Sequence, residues 1–164
     1  MGSARTRHYR ASHGVDEWIT GFDRGLRTLT GIHQAARPNP AEDVAEADLT
    51  AQERSHVAGL MRVNHTGEVC AQALYEGQAL MASDINAKAS LMSAAAEEQD
   101  HLVWCRSRLR ELDARPSLLD PVFFGLSFAM GAAAGLMGDR VSLGFVEATE
   151  DQVVQHLDEH LQTL

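Results

Sequence analysis

Glu98-Gln99-Asp100-His101 constrains the fold more than any other stretch of this chain, because a carboxylate and an imidazole three residues apart on a helix point the same way. Such a pair can hold one metal ion between its two side chains, or one member can bridge to a second ion. Leu91, Ala94, Ala95, Leu102, Cys105 and Leu109 fall on or near the same stripe, so both ionisable groups sit on an apolar helix face. The spacing alone is a weak signal. Eight histidines in an acidic chain will meet such a glutamate by chance, and Glu53-Arg54-Ser55-His56 repeats the pattern. There Glu53 has a local explanation, since Thr50-Ala51-Gln52-Glu53 is a capping box that opens a helix.

A chain of 164 residues reads as one domain able to bury a substantial core. Ala, Leu, Glu and Gln dominate, and no segment alternates like a strand, so the fold class is all-α. The net charge of −9 argues against nonspecific nucleic-acid binding. Arg5, Arg7, Arg10, Arg24 and Arg27 gather in the N-terminal part, where they belong to a leader or face an anionic membrane. Cys70 and Cys105 fall inside predicted helices without a paired-Cys metal spacing, which suits reduced thiols in a cytosolic compartment. No secretory h-region opens the chain, and no apolar run reaches the roughly 18 residues of a spanning helix.

Residues 1–49 read as a leader. Its first 14 residues are polar and expected to be mobile; Val15 to Thr30 form a short amphipathic helix with Trp18, Ile19, Phe22, Leu26 and Leu29 along one side. That side is expected to pack on the domain rather than on a membrane. Pro38 and Pro40 break the chain, and Ala41 to Asp48 form an acidic loop. Residues 50–164 form the helical domain. Thr50 starts a long helix to about Met81, in which Gly59, Gly67 and Gly77 predict close helix contact or a kink. Asn64, His65 and Glu68 stand in its middle. Asp84 caps a second long helix, about Ile85 to Leu112. Asp120-Pro121 reads as a cap followed by proline, leading into the nearly uncharged Val122 to Met137. Gly125, Gly131 and Gly135 give that segment a smooth surface for another helix or a lipid-like ligand. Asp139 opens the last helix, whose inner face reads Phe145, Glu150, Val153, Val154, Leu157 and Leu161. Glu147, Asp151 and Asp158 compete with Glu150 for the role of inward carboxylate, and periodicity does not choose among them.

Ferritin-like di-iron proteins order their ligands as Glu, Glu-x-x-His, Glu, Glu-x-x-His along a helical bundle. Glu68, then Glu98 with His101, then Glu150 supply the first three terms on three helices; the fourth, and with it the last site helix, is missing from these residues. The run Met61-Arg62-Val63-Asn64-His65-Thr66-Gly67-Glu68-Val69-Cys70-Ala71-Gln72-Ala73-Leu74-Tyr75-Glu76-Gly77-Gln78 closely resembles the signature of the Coq7 family, the demethoxyubiquinone hydroxylases. So do Ala94 to Trp104 and the stretch from Gly125-Leu126-Ser127-Phe128 through Asp139-Arg140-Val141-Ser142-Leu143-Gly144-Phe145.

The resemblance implies a ferritin-like bundle with two iron ions, dioxygen as co-substrate and an external reductant. Glu68 corresponds to the first metal carboxylate, Glu98 to the bridging one, His101 to its imidazole partner and Glu150 to the ligand of the third helix. His156 is similar to a histidine standing just outside the ligand set. Members continue through a helix bearing the last Glu-x-x-His, so four of six ligands are expected here, with weak or single-site occupancy unless a second chain supplies the rest. The implied substrate is a polyprenyl methoxy-methyl-benzoquinol, entering between hydrophobic helices of which Val122 to Met137 is the candidate. The implied location is peripheral, on the cytoplasmic face of a bacterial inner membrane, beside other ubiquinone-biosynthesis proteins. The rival readings are a ferritin- or rubrerythrin-type iron oxidase or peroxide scavenger, and an inactive helical module.

Overall fold

Thr50 fixes where the first long helix begins. Its hydroxyl accepts from the Glu53 N–H at 3.3 Å while the Glu53 carboxylate takes the Thr50 N–H at 2.8 Å, a reciprocal cap whose loss costs about 1 kcal/mol. The structure is a computed structural model describing residues 16, 19–32 and 34–161. The expectations for residues 1–14, for Val15 and Trp18, and for the basic side chains Arg5, Arg7 and Arg10 lie outside the described residues. Helix α1 covers residues 19–30, followed by α2 (Ala51–Met81), α3 (Ile85–Glu111), α4 (Asp120–Leu136) and α5 (Asp139–Leu161). The chain is all-α, and no strand occurs among the described residues.

Helix α2 is the axis of the molecule. It runs antiparallel to α3 after a short connection at whose end Asp84 accepts the Ala87 N–H as cap. Leu74 and Tyr75 of α2 bury against Ala95 of α3, with Val146 of α5 beside them. On another side α2 meets α4 almost backbone to backbone. A Cβ on Gly77 would collide with the Phe128 carbonyl, one on Gly131 with the Leu74 carbonyl, and one on Gly135 would lie 2.7 Å from the Met81 Cβ. Gly59, Gly67 and Gly125 have nothing within 4 Å of that position, so the glycine pattern predicted a seam but only half of its members form it. The partner that α4 receives at this seam is α2, not a lipid-like ligand.

Three sequence expectations need correction. Asp120 is not the cap of α4: Leu119 occupies that position without a side-chain bond, and Asp120 in the first turn turns inward. It accepts from the Thr66 hydroxyl at 2.8 Å and lies 3.2 Å from the buried His65 Nδ1, because a carboxylate there closes a polar junction among buried groups. Second, the apolar stripe of α1 is left largely uncovered among the described residues. Gly25 and Thr28 are buried, with Gly25 against the Phe124 ring, whereas Ile19 and Phe22 are 62% and 71% exposed. A glycine lets α1 sit closer to α4 than its large side chains would. Third, the face of α5 read as inner is open: Phe145, Val153, Val154, Leu157 and Leu161 are exposed, and Ser142 alone among the described residues of α5 is buried. On that face Glu150 meets Tyr75 of α2, while the apolar positions around it stay uncovered.

The segment after α1 is pinned to α3 by polar bonds. Gly31 ends α1 with φ of 73°, and its N–H reaches the Arg27 carbonyl at 2.8 Å. Asp100 accepts from the Ala36 N–H and from Arg37 Nε, both at 2.7 Å, and the acidic loop contributes Glu46 to Arg108.

Candidate metal centre

Long antiparallel helices bring together what one helix cannot. Glu68 comes from α2, while Glu98 and His101 come from one face of α3, and one potential ligand atom from each lies within 4.8 Å of the others. His101 Nδ1 is 3.1 Å from Glu98 Oε2 and 3.7 Å from Glu68 Oε2. The α3 stripe is apolar, with Leu91, Ala95, Leu102 and Leu109 buried, and Glu98 is 7% exposed among them. Trp104 stands over the outer side, its ring centroid 5.3 Å from that of His101, and carries the Arg37 guanidinium 5.6 Å above its own ring.

The electrostatics of this cluster follow from its burial. Desolvation pushes the Glu98 carboxyl up to about 7; Glu68 adds to the rise and His101 opposes it. Glu68 and Glu98 together push His101 up to about 10, so the imidazole carries a proton among carboxylates at neutral pH. Two carboxylates crowded against one imidazole form a site whose repulsion a cation relieves. Hard oxygen donors with one imidazole suit a divalent first-row metal such as iron. A metal bound here displaces the His101 proton, since an imidazole ligates only when that nitrogen is free. The donor set thus fits the iron that the sequence resemblance implies.

Glu150 does not join this trio directly. It is exposed on α5, and its Oε1 accepts from the Tyr75 hydroxyl at 2.5 Å. Burial first, then Glu150, Glu98 and Glu68 raise the Tyr75 pKa, so the buried phenol stands among all three carboxylates and links α5 to the cluster. Sequence reasoning did not single out Tyr75. The signal was present, since Tyr75 follows Glu68 by seven residues and therefore shares its face two turns on. His156 stays apart from Glu68, Glu98 and His101; it is exposed on α5 with its ring centroid 4.1 Å from that of His160. Glu147, Asp151 and Asp158, the competitors of Glu150, are exposed as well.

The neighbouring groups are inert by comparison. Burial raises the Cys70 thiol and pushes Cys105 up to about 12, which disfavours the thiolate in both. His65 is fully buried, and burial holds its pKa down against the pull of Asp120. Arg106 reaches towards the other side of that ring, its Nε 3.4 Å from His65 Nε2, so the junction joins α2, α3 and α4 behind the cluster.

Residues 55–164 match the model of the family described as Ubiquinone biosynthesis protein COQ7. Among curated proteins, a 3-demethoxyubiquinol 3-hydroxylase of Azotobacter vinelandii is 56% identical over 162 residues, which cover 98% of this chain and 74% of that protein. Proteins of the same description from Ectopseudomonas mendocina and Acinetobacter baylyi are 58% and 57% identical, covering 92% and 96% of this chain and 70% and 74% of theirs. No solved structure matches the chain. A family model spanning most of the chain, and relatives this similar along nearly all of it, place the chain in the COQ7 family of ubiquinone-biosynthesis proteins.

Proposed function

We propose that this protein hydroxylates the ring of a polyprenyl methoxy-methyl-benzoquinol, the 3-demethoxyubiquinol named for its relatives, at a di-iron centre held by Glu68, Glu98, His101 and Glu150. The observation that carries this reading is the cluster of Glu68 and His101 around the buried Glu98, in a chain more than half identical to hydroxylases. Two iron ions, when bound, supply the means to reduce dioxygen, so that one oxygen atom enters a ring C–H bond and the other leaves as water, with two electrons and two protons from an external reductant. The protein's own groups prepare the site. Glu68, Glu98 and Glu150 offer hard anionic ligands, and His101 gives up its proton to become one. Tyr75 holds Glu150 against α2 by donating its hydroxyl hydrogen. The buried α3 stripe keeps water from the inner side of the cluster.

Residues 50–164 are taken as the ferritin-like catalytic unit and residues 1–49 as its leader. The proposed location is the membrane surface, on the cytoplasmic face of a bacterial inner membrane. No helix among the described residues is long and apolar enough to cross a membrane. Ile19 on α1 and Leu126 and Met130 on α4, two neighbouring helices, are exposed and suit the headgroup boundary of a bilayer. Other ubiquinone-biosynthesis proteins are proposed as neighbours on that surface.

Glu98→Ala and His101→Ala should each abolish stoichiometric iron binding and reduce hydroxylation of the quinol precursor at least ~100-fold, the scale on which losing a group that acts as part of a unit is felt. Iron content equal to that of the unaltered protein in both variants would refute the ligand assignment. Flotation with phospholipid vesicles together with quinol turnover separates this reading from an iron oxidase or peroxide scavenger, which needs neither.

A further inference from the structure

The layer made by α2 and α3 has two sides. On one side α5 approaches, tied by Tyr75 to Glu150 and by the Gln78 amide to the Ser142 carbonyl at 2.8 Å, and the metal cluster faces that way. On the other lies α1. Met92 and His101 are nine residues apart on α3, which puts them about 180° around the helix from one another. Glu76 lies ~12 Å along α2 from Glu68 and about 80° around it. Met92 and Glu76 both border a cavity of about 550 Å³ between α1, α2, α3 and α4, on the far side of the layer from the metal cluster.

The walls of this cavity are apolar, with Phe22, Leu29, Leu80, Met92, Phe124 and Phe128 among them. Glu76 interrupts them. Its side chain is 1% exposed, and its Oε1 accepts from the Gln72 amide at 3.0 Å and lies 3.6 Å from Arg24 Nε. Its Oε2 is buried without a hydrogen-bond partner. A buried carboxyl oxygen left unmatched costs stability, on the order of 1–3 kcal/mol, unless something else meets it. The cavity is of the size that takes a small ligand, roughly 300–1,000 Å³, and its largely apolar wall carries Asp16, Thr20, Arg24 and Lys88 as well as Glu76.

We propose that this cavity is a second ligand site, for a small apolar molecule bearing one hydroxyl, with that hydroxyl hydrogen-bonded to Glu76 Oε2. A hydroxyl both donates and accepts, so it satisfies Oε2 whether the carboxyl is ionised or protonated. A pure hydrocarbon would leave Oε2 unmet. A phenolic ring and a lipid alcohol share the required chemistry.

Calorimetric titration of the full chain with 4-butylphenol, butylbenzene and 1-octanol tests this. The phenol should bind about tenfold or more tightly than butylbenzene, and Glu76→Leu should erase that difference. A Cβ at Gly21, a wall position, has as its nearest neighbour only Arg24 Nη2 at 4.0 Å. Gly21→Phe should therefore fill the cavity without disturbing the helix, weakening both aromatic probes at least ~10-fold while the thermal midpoint holds or rises. Glu98→Ala, across the layer, should leave probe affinity within about twofold. Tighter binding of 4-butylphenol than of 1-octanol assigns a phenolic ligand, and the reverse assigns a lipid alcohol; either supports the site. Equal affinity for butylbenzene and 4-butylphenol in the unaltered protein overturns the role of Glu76, and undiminished binding to Gly21→Phe, or a tenfold loss in Glu98→Ala, overturns the site.

Discussion

Helix α2 meets α4 and α5 in opposite manners. Against α4 it presents Leu74, Gly77, Gln78 and Met81 to Gly131, Gly135 and the Phe128 carbonyl, with so little space that no Cβ fits on three of the glycines. Against α5 it presents two polar handles, Tyr75 to Glu150 and Gln78 to Ser142, while most of α5 stays exposed. Close backbone contact gains dispersion energy over many atoms and admits one arrangement. A few isolated hydrogen bonds contribute less and let a helix shift. The seam with α4 therefore fixes the frame, whereas α5, which carries Glu150 among the proposed metal ligands, keeps freedom to adjust.

The sharpest way to break that contrast is to insert one methyl group at the seam. Gly131→Ala should destabilise the protein by about 1–3 kcal/mol, read from the shift in urea midpoint, because the Leu74 carbonyl is backbone and cannot swing aside. An unchanged midpoint would show that α4 is as adjustable as α5.

The cluster side should reveal itself through pH. His101 is pushed up to about 10 from 6.5, so its contribution to stability is whole below 6.5 and is lost as pH rises towards 10. Glu98 is raised from 4.5 to about 7, so its ionisation is easier in the unfolded chain and costs the fold stability between those values. Both act in one direction. The metal-free protein should lose stability as pH rises from 6.5 to 10, and His101→Ala should flatten that part of the curve. Loading iron at neutral pH should release protons into a weakly buffered dye solution. A curve in His101→Ala that still falls as steeply above pH 7 would place the titrating group elsewhere.

Tyr75→Phe removes the handle on Glu150 and should cost about 1 kcal/mol, with faster amide exchange in α5 and unchanged exchange in α4. Equal acceleration in both helices would mean that Tyr75 supports the frame instead. The smallest effect has the opposite sign. Gly59→Ala, where the added Cβ meets nothing within 4 Å, should raise stability by up to ~1 kcal/mol. The same substitution thus stabilises α2 at one glycine and damages its α4 partner at another, and a thermal scan of both variants displays the comparison directly.

The long helices were legible because their signals are local. The Thr50 to Glu53 box, the Asp84 cap and the proline after Asp120 lie within one turn of the boundaries they set. Glu98 and His101 could be paired from spacing, since both stand on one helix. The largely uncovered stripe of α1 was not legible, because amphipathicity says which residues share a face and not what that face meets. Asp120 looked like a cap because capping and burial beside His65 and Thr66 use the same residue type. Spacing puts Tyr75 on the face of Glu68, but its role as the handle on Glu150 was not legible, because the acceptor comes from another helix.

The amino-acid order by itself determined that this chain is helical, where its helices start, and which carboxylate and imidazole share a turn, since each depends on neighbours a few residues away. Only the tertiary structure decided that Glu68 crosses to Glu98, that Gly131 lies on the Leu74 carbonyl while Gly59 faces open space, and that Glu76, with one carboxyl oxygen buried and unmatched, borders a cavity. Those facts rest on distances between residues far apart along the chain, which helical periodicity leaves undetermined and close packing of α2 with its neighbours sets.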